Sequence, residues 1–329
     1  MSKKKNNLVL MMQFKVPWYW IPVAISVAGL ICLFIGFFGS YWWGFDILSN
    51  FRPQYAVFTL ISAVLLSFKR KFLKFAIFAY MSFIIIILFL LPLYFSPLPD
   101  HQLQDGIHLR VMQINVFTGN SEYKKVEAAI LRNDPDIILL DEVNWQWLHN
   151  LSSIKGKYPY RIEEARDDNF GIAMFAKIKP EKCEIRMSRV AQVPYIYAKF
   201  VIDPQSRKSV SFFGLHTLPP VGNVNYETRN AQLVEIAEDI AKVQSDNIIL
   251  LGDLNLTPWS YFYNKLEKDT GLRNSQQGFG VQPTWPDKLF FLLIPIDHCL
   301  VSPAVKVTGR RVGSNTGSDH YPLVVDLEI

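Results

Sequence analysis

Hydrophobic residues form long uninterrupted stretches at the start of the chain and much shorter ones after about residue 100. Residues 16–45, 53–68 and 75–99 contain no charged side chain. A helix needs about 20 apolar residues to cross roughly 30 Å of hydrocarbon. The first and third stretches are long enough, whereas the second is short. The pattern predicts about three transmembrane helices, at about residues 17–39, 53–68 and 75–95, within an anchor of residues 1–99.

The second part of the chain alternates short apolar runs with amphipathic ones, after a linker that we place at residues 100–106, directly behind Pro97 and Pro99. Strands are predicted at residues 109–115, 136–141, 171–175, 197–202, 209–215, 247–251, 296–301 and 323–327. Helices are predicted at residues 121–133 and 230–242. The order indicates an α/β domain over residues 107–329, in which two packed sheets carry helices on the outside.

The basic residues predict how the anchor is oriented. They precede the first span (Lys3, Lys4, Lys5, Lys15) or separate the second from the third (Lys69, Arg70, Lys71, Lys74), whereas Arg52 stands alone after the first. By the positive-inside rule, the N-terminus and the second loop are cytoplasmic. Three crossings then place the C-terminal domain outside the cytoplasm. If residues 53–68 form a re-entrant segment instead, the domain faces the cytoplasm.

Charge and cysteine content indicate which classes of protein residues 100–329 do not resemble. Residues 1–99 hold nine basic residues and one acid, which leaves 25 basic and 28 acidic residues, a net charge of −3, for residues 100–329. A dedicated nucleic-acid binder usually carries a basic surface. Cys32, Cys183 and Cys299 are too few for a disulfide framework, so free thiols are favoured over a Cys183–Cys299 bridge.

Polar residues stand where the predicted strands end. They are Asn115, Glu142, His216, Asp253, Asn255, Asp297, Asp319 and His320. Carboxylate and amide oxygens suit Mg²⁺ or Mn²⁺, and histidine–carboxylate pairs suit proton transfer. No Cys/His zinc pattern and no glycine-rich phosphate loop is present in the sequence. Each residue alone could also be a turn former or an ordinary surface residue. The hypothesis of a metal-dependent catalytic site therefore rests on these residues taken together.

The segments around these residues resemble the endonuclease/exonuclease/phosphatase superfamily, which includes DNase I, abasic-site endonucleases, inositol-polyphosphate 5-phosphatases and neutral sphingomyelinases. In order they are QINV (113–116), LDEV (140–143), GLHT (214–217), GDLN (252–255), IDH (296–298) and GSDHYP (317–322). Two further stretches, LNLTPWS (254–260) and PTWP (283–286), resemble a membrane-anchored bacterial branch. That likeness implies an integral protein of a bacterial inner or plasma membrane.

The resemblance implies a fold and a role for each residue. The fold would be a four-layer α/β sandwich, two β-sheets flanked by helices. Glu142 would hold the catalytic Mg²⁺ or Mn²⁺ beside Asn115, and Asp319 could reach a metal. Asp253, helped by Asn255, would position the attacking water. His320, oriented by Asp297 within hydrogen-bond distance, and His216 would contact the phosphate.

Two positions qualify the resemblance. Abasic-site endonucleases have an acid two residues after the motif asparagine, where this chain has Phe117. The chain is therefore not expected to be close to that repair branch. Arg229 follows His216 at the start of a predicted helix and is a candidate phosphate ligand, although a helix-surface arginine is the alternative.

Three functions follow as hypotheses. A phosphoesterase acting on a lipid or a small phosphoester is favoured, because the chain carries a membrane anchor and its second part is slightly acidic. No obligate protein partner is evident from the sequence. An extracytoplasmic nuclease is the alternative, and a catalytically inactive binding module is the third. The apolar segment at residues 288–294 is expected to be a core strand. A membrane-touching hairpin there is the alternative, and it would favour a lipid substrate.

Overall fold

The structure is a computed structural model that describes residues 17–95, 106–203, 205 and 208–329. The expected linker lies outside these residues except for Gly106, and so do Lys3, Lys4, Lys5 and Lys15.

Helices and strands follow the predicted alternation. The helices are α1 (Trp20–Gly36), α2 (Trp43–Ser49), α3 (Arg52–Ser67), α4 (Leu73–Leu88), α5 (Tyr123–Asn133), α6 (Trp145–Asn150), α7 (Gly222–Ala241) and α8 (Tyr261–Thr270). The strands are β1 (His108–Asn115), β2 (Ile137–Asp141), β3 (Tyr160–Glu164), β4 (Ile172–Ala176), β5 (Pro180–Met187), β6 (Pro194–Asp203), β7 (Lys208–Leu215), β8 (Ile248–Asp253), β9 (Arg273–Asn274), β10 (Asp297–Val301), β11 (Lys306–Val312) and β12 (Leu323–Glu328). Short 3₁₀ helices lie at Arg70–Phe72, Leu91–Tyr94, Ser152–Gly156 and Phe290–Leu292.

Two six-stranded sheets form the second part of the chain. Their strand orders are β11-β12-β1-β2-β4-β3 and β5-β6-β7-β8-β10-β9. Apolar side chains from both sheets, such as Leu139 and Leu251, form a shared buried core. Helices α5 and α6 cover the outer face of the first sheet, and α7 and α8 cover that of the second. This arrangement confirms the two helix-flanked sheets.

Three helices occupy the segments predicted to span a membrane. Helices α1, α3 and α4 pack on one another, and with the short helix α2 they form what we call the helical unit, residues 17–95. In the described chain, one helix, Arg70–Leu88, has the length and hydropathy needed to cross a membrane, and Trp20–Gly36 is apolar but shorter. The three helices are therefore confirmed, and their crossing of a bilayer stays a prediction.

Several local features differ from the expectations. Helix α7 begins at Gly222, well before the predicted start at residue 230. The segment 288–294 is not a core strand, because Phe290 is 79% exposed and a 3₁₀ helix forms there. Helices α2, α6 and α8 and strands β3, β5, β9 and β11 were not predicted. The cysteines agree with expectation, since Cys32, Cys183 and Cys299 are all free.

Candidate active site

Strand ends bring the predicted residues to one edge of the sandwich. Asn115 ends β1 opposite Asp141 at the end of β2, and Asp253 ends β8 opposite Asp297 at the start of β10. Close contact between β7 and β8 requires Gly252, whose φ is +149° and where a Cβ would lie 1.8 Å from the carbonyl oxygen of Leu215. The two sheets therefore present their polar ends to each other.

Two amide side chains connect the sheets across this edge. The Nδ2 group of Asn115 donates to Glu142 Oε1 (2.9 Å) and to Asp253 Oδ2 (3.2 Å). Similarly, Nε2 of Gln113 donates to Asp141 Oδ2 (2.8 Å) and to Asp297 Oδ1 (2.7 Å). These bonds fix the carboxylates of one sheet relative to those of the other. Gln113 and Asp141 lie within the recognised motifs, but the sequence assigned them no role.

His320 lies between two buried carboxylates. Its Nδ1 is 2.9 Å from Asp297 Oδ2, which confirms the predicted hydrogen bond, and its Nε2 is 3.7 Å from Asp253 Oδ2. Burial alone would lower the pKa of His320, but the charges of Asp297 and Asp253 outweigh it and raise that pKa to about 10. Burial and the charge of Asp297 raise the pKa of Asp253. The geometry thus favours an imidazolium that can donate a hydrogen bond.

His216 occupies a different electrostatic environment. Burial, followed by the positive charge of His320, lowers the pKa of His216 to about 4, so the ring is neutral near pH 7. Its Nε2 lies 3.4 Å from Asn255 Nδ2 and 3.7 Å from Asp253 Oδ2, and Phe170 packs on the ring. One charged and one neutral histidine therefore flank Asp253.

Glu142 follows β2 with a φ of 63°, a conformation that non-glycine residues seldom adopt. The backbone N–H of Thr118 donates to its Oε2 (3.3 Å), and the Thr118 hydroxyl donates to its carbonyl oxygen (3.0 Å). Burial raises the pKa of Glu142, and the charge of Asp319 contributes. The Asp319 carboxylate is itself oriented by Trp285, whose Nε1 donates to Oδ2 (3.0 Å).

This donor set fits a divalent cation. Glu142 and Asp319 are hard oxygen donors, and Asn115 Oδ1 accepts from Phe117 N–H (3.0 Å) while keeping a second lone pair. Asp253, Asp297 and His320 also bring one ligand atom each to within 4.8 Å of one another. Because His320 Nδ1 is already paired with Asp297, we assign that group to hydrogen bonding and proton transfer.

Arg229 is not at the phosphate site, which corrects the expectation from sequence. Its guanidinium is fully buried and bonds through Nη2 to Asp46 Oδ2 (2.6 Å) in α2, and through Nη1 to the carbonyl oxygen of Asn255 (3.1 Å). The side chain instead links the helical unit to the loop that follows β8. Arg229 lies inside α7, which begins at Gly222, so it is neither at a helix start nor on a helix surface, and its partner is an acid 183 positions away.

A cavity of about 440 Å³ opens onto these residues. Its lining includes Glu142, Asp168, Asn169, His216, Asp253, Asn255, Asp319 and His320, together with apolar residues Phe170, Pro219, Pro220, Val221, Trp285, Ile294 and Ile296. Ile47, Asn50 and Phe51 of the helical unit complete it. No lysine or arginine is among the lining residues of the described chain. Sequence reasoning did not anticipate a contribution from the first 99 residues.

Comparisons with known proteins agree with this geometry. The model of the endonuclease/exonuclease/phosphatase family matches residues 112–320. A Bacteroides thetaiotaomicron protein of that family superposes with a TM-score of 0.58 at 18% identity, covering 69% of this chain and 99% of its own. The Bacteroides vulgatus family protein gives 0.55 at 20% identity, with 68% and 99% covered.

Danio rerio TDP2, in a complex with a single-stranded DNA product, gives a TM-score of 0.57 at 16% identity, covering 68% of this chain and 99% of its own. At these identities the similarity shows a shared fold. No curated protein matches the sequence.

Proposed function

This chain belongs to the endonuclease/exonuclease/phosphatase family, whose members are hydrolases acting on phosphoesters, and from that membership we propose a membrane-anchored, metal-dependent phosphoesterase. It would hydrolyse a phosphodiester or phosphomonoester by in-line attack of water, with a lipid or small phosphoester as the favoured substrate. The observation that carries the proposal is the shared cavity in which Asp253, the Asp297–His320 pair and Glu142 meet.

The chain's own residues account for most of the chemistry. Asp253, in its ionised form, orients the attacking water and accepts its proton; burial and the charge of Asp297 raise the pKa of this carboxyl and so make the carboxylate a stronger base. His320, held by Asp297, donates through Nε2 to a phosphoryl oxygen, where negative charge increases in the transition state. The neutral ring of His216 lies beside Asn255 and completes the phosphate-binding side.

Glu142 and Asp319 would hold Mg²⁺ or Mn²⁺, with the oxygen of Asn115 as a further ligand. A bound divalent cation supplies a Lewis acid that polarises the phosphoryl group and neutralises its developing charge. The surrounding carboxylates lack a compensating lysine or arginine in the described lining, and this excess of negative charge supports a cation there.

The surface of the helical unit supports membrane anchoring. Small or hydroxyl side chains, among them Ser26, Ala63, Ala76 and Ser82, are at most 1% exposed in its interior, where they lie together with a few large ones such as Leu66. Large apolar side chains face outward (Ile21, Phe34, Val57, Phe58, Ile61, Ile77, Met81, Leu88). A water-soluble bundle would have the reverse distribution, whereas small residues at helix contacts are typical of helices in lipid.

The arrangement of the helical unit also supports an extracytoplasmic active site. Lys69, Arg70, Lys71 and Lys74 join α3 to α4 at one end of the bundle. The part of the chain from residue 106 to residue 329, which we call the phosphoesterase domain, contacts the opposite end. It does so through Arg52 at the start of α3 and through Leu93 after α4. If the basic turn is cytoplasmic, as the positive-inside rule requires, the domain lies outside. Placement in a bacterial inner or plasma membrane follows from the same proposal.

A nuclease remains the second candidate, because D. rerio TDP2 shares the fold and has been seen with a DNA product. Nucleic-acid binding depends on lysine and arginine contacts to successive phosphates. The cavity offers none among its lining residues, which favours a substrate with a single phosphate group at the site. An inactive binding module is disfavoured by the intact hydrogen-bonded set.

Hydrolysis of bis-p-nitrophenyl phosphate by the detergent-purified full chain, with Mg²⁺ or Mn²⁺, tests the proposal. Glu142→Gln keeps the size of the side chain but removes its charge, and should reduce kcat/KM at least about 100-fold at unchanged melting temperature. Glu181→Gln, which changes an exposed carboxylate paired with Lys199, is the matched control. Turnover that survives both Glu142→Gln and excess chelator would refute the metal assignment.

A further inference from the structure

The helical unit forms part of the cavity that holds the proposed catalytic residues. Ile47 and Phe51 line it from the connection between α1 and α3, and Asn50 lies between them. Ile294 and Ile296, in the segment before β10, line the same cavity. An apolar surface therefore continues from the phosphoesterase domain onto the helical unit, beside His216 and His320.

Buried polar contacts fix this connection to the domain. Asp46 accepts from Arg229 (2.6 Å) and from the hydroxyl of Ser260 (2.7 Å). The hydroxyl of Thr257 donates to Asn50 Oδ1 (2.8 Å). These groups are buried, and the ion pair is at most 1% exposed. Such contacts specify one position, so Ile47 and Phe51 are held at the cavity rather than resting against it by chance.

The rim of the cavity is also apolar and lies next to the helical unit. Val221 is 66% exposed at the cavity, and Leu289, Phe290 and Phe291 are exposed in the segment before Ile294. Gln54 in the first turn of α3 donates to the carbonyl oxygen of Leu293 (2.8 Å), which holds that segment at the domain-facing end of the bundle. These exposed apolar side chains form a second apolar surface beside the helical unit, next to the cavity.

We propose that the α1–α3 connection is a substrate-binding element, in which Ile47 and Phe51 determine specificity by contacting an apolar group carried by the phosphoester. This inference rests on the proposed phosphoesterase function. The substrate class is then an amphiphilic phosphoester, with its phosphate at Glu142 and His320 and its apolar part against the wall made by Ile47 and Phe51. A nucleic acid could use that wall only by stacking a base on it, and its successive phosphates would find no lysine or arginine among the described lining residues.

Two synthetic diesters that differ only in the length of their alkyl chain test whether Ile47 and Phe51 contact the apolar part of the substrate. The full chain in nanodiscs is assayed with hexyl p-nitrophenyl phosphate and methyl p-nitrophenyl phosphate. Phe51→Ala and Ile47→Ala should each lower kcat/KM for the hexyl ester roughly 10-fold and leave the methyl ester within about twofold, because the lost contact is to the chain alone. The control is Phe58→Ala, an exposed phenylalanine on α3 outside the cavity, which should change neither ester.

Equal losses for the two esters, or no loss with the hexyl ester, would overturn the inference. Faster hydrolysis of an oligothymidylate than of the hexyl ester, unchanged in Phe51→Ala, would overturn it as well. If the wild-type chain hydrolyses neither ester, the proposed function fails. Calorimetric binding of hexylphosphonate and methylphosphonate then tests separately whether Ile47 and Phe51 contact an apolar chain. Chain-length-dependent binding that Phe51→Ala abolishes supports the inference, and binding independent of chain length overturns it.

Discussion

The ion pair between Arg229 and Asp46 should be the main electrostatic contact between the helical unit and the phosphoesterase domain. The guanidinium is 0% and the carboxylate 1% exposed, and Arg229 also donates to Asn230 Oδ1 (2.8 Å) and to the carbonyl oxygen of Asn255. Arg229→Met removes all three bonds. It leaves Asp46 buried with the Ser260 hydroxyl as its remaining donor.

The expected cost follows from that burial. Removing one partner of a buried pair destabilises a protein by about 3–5 kcal/mol, because the remaining charge has no compensation. Asp46→Asn keeps the Ser260 bond but leaves the Arg229 charge unpaired, so it should cost a similar amount. The double variant Asp46→Asn/Arg229→Met removes both charges. Its cost should fall short of the sum of the single costs by about 1–3 kcal/mol.

Thermal unfolding in one fixed detergent measures all three variants against the wild type. A loss of about 3 kcal/mol should lower Tm by roughly 10 °C. Arg311→Met is the matched control, since Arg311 pairs with Asp326 at the surface (3.0 Å), where such pairs contribute about 1 kcal/mol or less. Additive losses in the double variant, or a Tm for Arg229→Met within about 2 °C of the wild type, would refute the reasoning.

Two further predictions concern pH dependence and topology. Burial raises the pKa of Glu267 to about 7, above its value in the unfolded chain, so the folded state binds the extra proton and loses stability as pH rises from about 4.5 to 7. Glu267→Gln should therefore stabilise the protein at pH 8, by up to about 3 kcal/mol, and have little effect at pH 4.5; equal Tm shifts at both pH values would contradict this. Alkaline phosphatase fused after Ile329 should be active in cells and a cytoplasm-dependent reporter silent; the reverse pattern would place the domain in the cytoplasm.

Much of the phosphoesterase domain was predictable because its determinants are local. Each of the eight predicted strands is present, since buried strands show as short apolar runs between turn residues. Polar residues at strand ends meet because neighbouring strands end at one edge, as with Asn115 and Glu142. The hydrogen bond between Asp297 and His320 followed from the family motifs, and the structure has it. The catalytic and metal-binding roles of these residues stay predictions.

Contacts between distant segments could not be predicted in the same way. Arg229 was assigned to phosphate because its place in the chain follows His216, but its partner Asp46 belongs to the apolar region. One signal was available: Asp46 is the single acid among the first 99 residues, and an isolated acid in such a segment calls for a buried cation. The prediction of a core strand at residues 288–294 was wrong for a different reason. A short apolar run is compatible both with a core strand and with an exposed apolar segment.

The proposed catalytic residues and the proposed specificity residues therefore lie in different parts of the chain. The six motifs that carry the chemistry all lie between residues 113 and 322, and they recur in a family whose members act on several kinds of phosphoester. A fold shared with D. rerio TDP2 at 16% identity cannot distinguish these substrates, because the roles proposed for Glu142 and His320 involve only the phosphate group that all of them carry. Residues that contact the rest of the substrate must make the distinction, and the two that we propose for this role, Ile47 and Phe51, lie outside the matched region. If the wall is correct, the phosphoesterase domain without the helical unit would lose selectivity for the hexyl over the methyl ester, even where its catalytic residues remain in place.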